Sequence, residues 1–467
     1  MSMKKSISFA ISIIIGSILW FLPPTAGVTE QGIHMFAIFI FTVVGIILRP
    51  MPIGTVAFLG LVLTALTKTL SFEDAFSGFS HAIVWLIVIA FFISRGFIKT
   101  GLGERVAYFV MKIMGKSTLG MGYGIVLTDL VLAPAIPSVT ARVGGILFPI
   151  VTSLSKAFGS EPHSHPRRLG AFLIKVTFQG SVITSAMFLT SMAGNPLVAD
   201  IAQSVGLNIT WGTWALAASI PGILSLIFIP LYLYKFYAPE VKETPDAKSY
   251  AEKKLKEMGH IRAKEWVMIV SFILLITLWI LGPHISMQAV IAALIGLAIL
   301  LLTSVLSWED VIKEKDAWNT LMWFATLIMM AGALNTLGLT KWFSDYIQFH
   351  VENLHWLLAF SILALIYFYS HYFFASNVAH IGSMLSPFLM LAVALGTPPM
   401  MAALSLGFIS SLYGGLAPYS CGPAAIYFAS GYVKAGDWWK HGFYISVINI
   451  IIWIVIGCGW WSLLGYM

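Results

Sequence analysis

Apolar runs of the length that crosses a lipid bilayer, or a residue or two short of it, recur along the whole chain. Ile33–Leu48, Ile83–Phe97, Trp211–Phe236, Trp266–Leu281, Gln288–Val305 and Val447–Leu464 are examples. A membrane-spanning helix needs roughly 17–25 such residues. Only 10% of the 467 residues are charged and 58% are hydrophobic, against about 25% charged in a soluble domain. A charged side chain at the bilayer centre costs about 2.5–3.5 kcal/mol on insertion scales, so a membrane selects against it. The sequence therefore predicts an all-α polytopic membrane protein whose surroundings are the lipid bilayer.

The remaining charge predicts an orientation. Basic residues gather at Lys4-Lys5, Arg49, Arg95–Lys116, Lys156–Lys175, Lys235–Lys264, Lys313-Lys315 and Lys434-Lys440, while the alternate loops hold only Lys68 and Lys341. By the positive-inside rule the N-terminus is cytoplasmic, about eleven helices cross, and the C-terminus lies outside. Lys4-Lys5 precede the apolar stretch Ile7–Leu22 with no small-residue cleavage site after it, so this stretch is read as a retained first helix over residues 1–32. The net charge of +7 reflects this topology; no basic-aromatic stripe of the kind that binds nucleic acid is present. The expected location is the inner or plasma membrane of the cell. The Trp and Tyr residues are assigned to interfacial belts. Cys421 and Cys458 are read as small apolar residues rather than a disulfide or metal site. His163 and His165 are read as part of a solvated cytoplasmic loop, and no metal or cofactor is expected.

The chain also repeats itself. Leu70-Ser71-Phe72-Glu73-Asp74 recurs as Leu306-Ser307-Trp308-Glu309-Asp310, and Gly96, Thr100 and Gly101-Leu102 recur as Gly332, Thr336 and Gly338-Leu339. Ser138-Val139-Thr140-Ala141-Arg142 is echoed by Ser376-Asn377-Val378-Ala379-His380, each followed by a proline, Pro149 or Pro387. The charge rule puts the two copies of Leu-Ser-aromatic-Glu-Asp on opposite sides, so the repeats are inverted. Inverted repeats belong to transporters, whose sites lie at mid-membrane between the halves. The predicted organisation is a first helix over 1–32, a repeat over 33–237, a cytoplasmic linker over 238–264 and a second repeat over 265–467.

Pro134 and Pro137 precede Ser138 and break the helix there. Non-helical backbone at membrane depth is tolerated only inside protein or against a water-filled cavity. A re-entrant hairpin entering from the cytoplasm, tipped by Ser138, is therefore expected, with a second entering from outside and tipped by Ser376–His380. Two further segments, Thr190–Pro196 and Tyr413–Tyr419, interrupt apolar stretches with small residues and proline. Unwound segments offer backbone N–H groups and positive helix ends to an anion. The candidate substrate-binding residues are Ser138, Val139, Thr140, Ser376, Asn377, Val378, Asn195, Pro196, Ala417 and Pro418. Arg142 is read as having no acidic neighbour in its hairpin, so its counter-charge is expected from a bound anion. His380 occupies the matching position, and the two are read as a charge-compensating pair.

With these motifs the chain resembles the divalent anion/sodium symporter family, also called the dicarboxylate transporter family, over nearly its whole length. Members carry Ser-Asn-Thr at both hairpin tips; here Ser138-Val139-Thr140 lacks the Asn and Ser376-Asn377-Val378 lacks the Thr. The run from Ala133 to Arg142 is most similar to the branch of 2-oxoglutarate/malate and citrate/succinate exchangers. The resemblance implies that the tips bind substrate carboxylates, and that a homodimeric scaffold stays fixed while a transport domain moves as an elevator. It leads to the expectation of Na+-independent exchange of C4/C5 dicarboxylates such as malate, succinate, fumarate and 2-oxoglutarate, with Arg142 and His380 standing in for Na+. The alternative is a Na+-coupled di- or tricarboxylate symporter of the same family. An intramembrane hydrolase lacks support, with no HExxH and no G-x-S-x-G in the chain. A passive anion channel would lack trans-stimulation.

Overall fold

A computed structural model describes residues 3–24, 27–339, 342 and 355–466; Lys341 lies outside them. The apolar runs form helices. No strand occurs among the described residues, and the isolated bridge between Ser117 and Glu243 is the only β pairing there. Nine helices among the described residues are long and apolar enough to cross a membrane, including Glu30–Leu48, Ala82–Thr100, Trp211–Phe236 and Lys315–Thr336, and three shorter apolar helices accompany them.

The repeated motifs fold alike because each codes a helix start. Ser71 accepts a hydrogen bond from the Asp74 N–H and Ser307 from the Asp310 N–H, so each copy of Leu-Ser-aromatic-Glu-Asp is an N-cap opening a short helix, Phe72–Phe76 or Trp308–Lys313. Such a cap satisfies one of the orphan donors of the first turn. The polar segment 238–264 contains the helix Asp246–Met258. Its approach is pinned by the Thr118 N–H on the Lys242 carbonyl and the Thr244 N–H on the Lys116 carbonyl. Its exit is held by Arg105, which bonds Glu265 and the carbonyl of Gly259.

The assignment of the tryptophans to interfacial belts needs correction. Trp214, Trp438, Trp453 and Trp461 are wholly buried. The indole N–H groups of three of them donate to the Ala186 carbonyl, the Ser225 hydroxyl and the Ala217 carbonyl, at 2.8, 3.0 and 2.9 Å. A buried indole is tolerated where its one donor finds a partner, and here those partners knit Trp211–Phe236 to its neighbours.

Candidate functional site

Each tip is a helix-turn-helix whose turn is shaped by residues that withhold or redirect backbone bonds. In the first, Thr118–Leu132 passes into a 3-10 turn, Ala133–Ala135, and then into extended chain at Ile136. The Pro134 carbonyl, outside any helical ladder, is taken up by the Thr190 hydroxyl at 2.7 Å. Ser138 then accepts from the Ala141 N–H at 3.2 Å. In the second, Trp356–Tyr369 and the 3-10 turn Ser370–Phe373 lead to extended Phe374, and Ser376 accepts from the Ala379 N–H at 3.3 Å. The repeated serine is thus an N-cap in both copies. Each returning arm carries a π-helical stretch near its start, Thr140–Leu147 in the first and Ile381–Leu385, after the turn Asn377–His380, in the second, a rare form that concentrates at functional sites.

The two broken helices lie behind the tips. Gly170–Met187 ends at extended Phe188 and the chain resumes as Gly194–Gln203. Pro399–Leu412 ends in the turn Tyr413–Gly415 before Gly422–Ala429. Asn195 closes the first break: its amide donates to the carbonyls of Ser185 and Phe188 at 2.7 and 2.8 Å, and its oxygen accepts from Ser411 at 3.1 Å. Gln179 donates to the Gly415 carbonyl at 3.0 Å. Tyr413 donates to the Asn377 carbonyl at 3.2 Å, and Tyr427 to the Val143 carbonyl at 3.0 Å. The Ser411–Asn195, Gln179–Gly415 and Tyr427–Val143 bonds join the two halves of the chain, and the Tyr413–Asn377 bond fixes the second break to its own tip.

Arg142 departs from expectation. Its guanidinium is wholly buried and paired with Asp129 at 2.8 Å. It also donates to the carbonyls of Ile136 and Ser191, at 2.7 and 2.9 Å, and to the Ser185 hydroxyl at 3.1 Å. Asp129, on the first arm of the same hairpin, is further held by Thr184. Arg142 therefore has an acidic neighbour, and the expectation that a bound anion supplies its counter-charge is corrected. What Arg142 does is bridge the tip at Ile136 to the helix break at Ser191. His380 is likewise turned inward. It meets His371 at 2.9 Å and Ser370 at 3.1 Å, and it stacks between Phe374 and Tyr413. His371 in turn meets the Ser420 carbonyl at 3.0 Å. In each half a basic side chain holds a carbonyl next to a helix break.

A cavity of about 550 Å³ opens between the tips. Ser138, Val139 and Thr140 line one wall, and Ser376, Asn377 and Val378 another. The buried Oδ1 of Asn377 has no hydrogen-bond partner among the described residues. Of the other candidates, Asn195, Pro196, Ala417 and Pro418, and the charge-compensating Arg142 and His380, do not line this cavity. Pro196 sits in the first turn of its helix, where a missing N–H costs nothing, so the break presents the residues before it, Met192 and Ala193, to the cavity. The second break presents Gly414. Sequence reasoning missed Arg49 and Asp316 on the walls. A larger cavity, about 680 Å³, carries Lys68, Asp74 and the His81–Asp200 pair but neither tip.

This is the fold of a membrane transporter. It is similar to the crystal structure of the YdaH transporter of Alcanivorax borkumensis, with a TM-score of 0.59 at 15% identity over 86% of this chain and 89% of that one. It is also similar to MtrF of Neisseria gonorrhoeae, with a TM-score of 0.55 at 13% identity over 98% and 94%. The chain belongs to the sodium:sulfate symporter family, whose transmembrane region matches residues 3–467. It is 52% identical to the putative malate transporter YflS of Bacillus subtilis, over 99% of this chain and 98% of that protein. It is 49% identical to the chloroplastic dicarboxylate transporter 1 of Spinacia oleracea, over 97% and 80%. The inner membrane protein YbhI of Escherichia coli is 36% identical over 99% and 98%. The family, YflS and the chloroplastic relative are transporters, not enzymes.

Proposed function

We propose that this chain is a secondary transporter that exchanges C4/C5 dicarboxylates without Na+. The observation that carries the reading is the meeting of two serine-capped tips on one cavity. Each tip offers a hydroxyl donor and the first amides of a helix, which together attract an anion. Two such ends suit a molecule with a carboxylate at each end. A volume of about 550 Å³ suits a small molecule, and malate and dicarboxylates are what the named relatives are said to carry.

Independence from Na+ is supported by Arg142. A cation held between tip and break needs backbone oxygens, as a hard cation takes oxygen ligands. The Ile136 and Ser191 carbonyls already accept from a tethered guanidinium whose charge Asp129 neutralises. Exchange is supported by the tips themselves. The Ser138 and Ser376 hydroxyls each accept a cap bond and keep a proton to donate, and a donor left unmet away from water costs about 1–3 kcal/mol. A bound dianion satisfies the tips, and an empty pair of tips resists crossing. The expected motion is an elevator stroke of the tips and broken helices against a scaffold in a homodimer, with eleven crossings, the N-terminus in the cytoplasm and the protein in the cell membrane.

The family's description as sodium:sulfate symporters favours a second reading, Na+-coupled symport. Proteoliposomes separate the two. Labelled succinate should enter only vesicles preloaded with dicarboxylate, at the same rate with Na+ or choline outside. Uptake that needs a Na+ gradient and no internal dicarboxylate contradicts exchange.

A further inference from the structure

One basic side chain reaches the cavity, and neither tip supplies it. Among the described residues of the cavity wall, Arg49 is the single cation and Asp316 the single carboxylate. Arg49 follows helix Glu30–Leu48 in the left-handed conformation, φ 50 and ψ 50, a region that few non-glycine residues adopt. Its guanidinium donates to the carbonyl of Ala375, immediately before Ser376. The helix before it packs chiefly on Met3–Trp20 and Ile53–Leu66 and only lightly on Asn377–His380 of the second tip. Gly16 is pressed on Phe41, Gly45 on Val56 and Gly60 on Thr42. Arg49 therefore reaches from one group of helices to the second tip of another.

We propose that Arg49 is a specificity-determining residue for dicarboxylates, exchanging the Ala375 carbonyl for one carboxylate of a bound dianion. This rests on the transport reading above. A carboxylate displaces the carbonyl because it is ionised itself and can accept two parallel bonds from the planar guanidinium where the carbonyl accepts one. Asp316 on the same wall repels an anion, and Arg49 offsets that repulsion. A monoanion held at a tip has no second carboxylate to offer, so the guanidinium favours dianions. Because Arg49 lies outside the tips and broken helices, an elevator stroke carries the site away from it. Its contribution therefore belongs to one face of the membrane, the cytoplasmic one by the charge distribution.

The test is succinate counterflow in proteoliposomes of defined orientation, with KM measured separately at each face. Arg49→Gln should raise KM at the Arg49 face by about tenfold or more, as expected for loss of a charged hydrogen bond, and leave KM at the other face unchanged. Arg49→Lys should recover part of the loss. The monoamide of succinate, as competitor, should inhibit wild type and Arg49→Gln equally. An unchanged KM, an equal rise on both faces, or loss of transport from both faces in both variants overturns the role of Arg49. Wild-type protein that moves no dicarboxylate overturns the transport reading instead.

Discussion

The Asp129–Arg142 pair is the residue-scale feature on which the first tip depends. Breaking one partner of a buried ion pair costs about 3–5 kcal/mol, because the other charge is left unpaired. Asp129→Ala should therefore lower the protein's resistance to heat in detergent by about that much. Asp129→Leu combined with Arg142→Met should recover part of it. A single Asp129→Ala variant as heat-stable as wild type contradicts the pairing. The tip serines make a different prediction, because each has a cap to form and a free hydroxyl proton to offer. Ser138→Ala or Ser376→Ala should cost about 1 kcal/mol of stability as a lost cap, but should weaken dicarboxylate transport by about tenfold, as for a lost charged hydrogen bond. Equal, small effects on both readouts would make the serines caps and nothing more. The tip residues Ser138 to Thr140 and Ser376 to Val378 were legible in the sequence because the repeat marks them. The partner of Arg142 was legible in principle. An acid in an apolar run is as costly as an arginine, and Asp129 lies five residues before Pro134, the first of the prolines that break the hairpin. Arg49 was not legible, since its place on the cavity wall comes from a contact with Ala375 across 326 residues of sequence.

At the scale of elements, prolines and small residues located the breaks, but not the direction in which each break faces. Pro196 and Pro418 mark the breaks; Met192 and Ala193 before Pro196, and Gly414 before and Tyr419, Cys421 and Gly422 after Pro418, are what meet the cavity. The π-helical stretches of both returning arms carry no sequence signal that a pattern of apolar residues reveals, because a single-residue widening leaves the apolar stripe nearly intact. Close packing around the second break gives a sharp prediction. A Cβ on Gly442 would lie 2.4 Å from the Leu416 carbonyl, so Gly442→Ala should displace helix Ala435–Ile450 from the break. The expected loss is about 1–3 kcal/mol, as for other overpacked sites, with weakened transport. Gly436→Ala in the same helix meets nothing within 4 Å, and should be neutral or slightly stabilising, since alanine has the higher helix propensity. Thermal unfolding of the two variants side by side checks this, and equal behaviour contradicts it.

For the whole molecule, composition and apolar run length were enough for an all-helical membrane protein, because no other backbone arrangement was needed to account for runs such as Trp211–Phe236. The buried tryptophans were misread for the same reason. Hydropathy does not tell a residue facing lipid from one facing another helix, and Trp214 and Trp461 face protein. The coupling mode lies beyond pattern altogether. It depends on whether the oxygens around the first tip are free to hold a cation, and only the placement of Arg142 between Ile136 and Ser191 speaks to that. The most direct test is radiolabelled counterflow in proteoliposomes, with internal malate, succinate, fumarate or 2-oxoglutarate, in Na+ and in choline. Exchange predicts trans-stimulated uptake of the same rate in both media and none into empty vesicles. Uptake into empty vesicles driven by inward Na+, with no trans-stimulation, would contradict it.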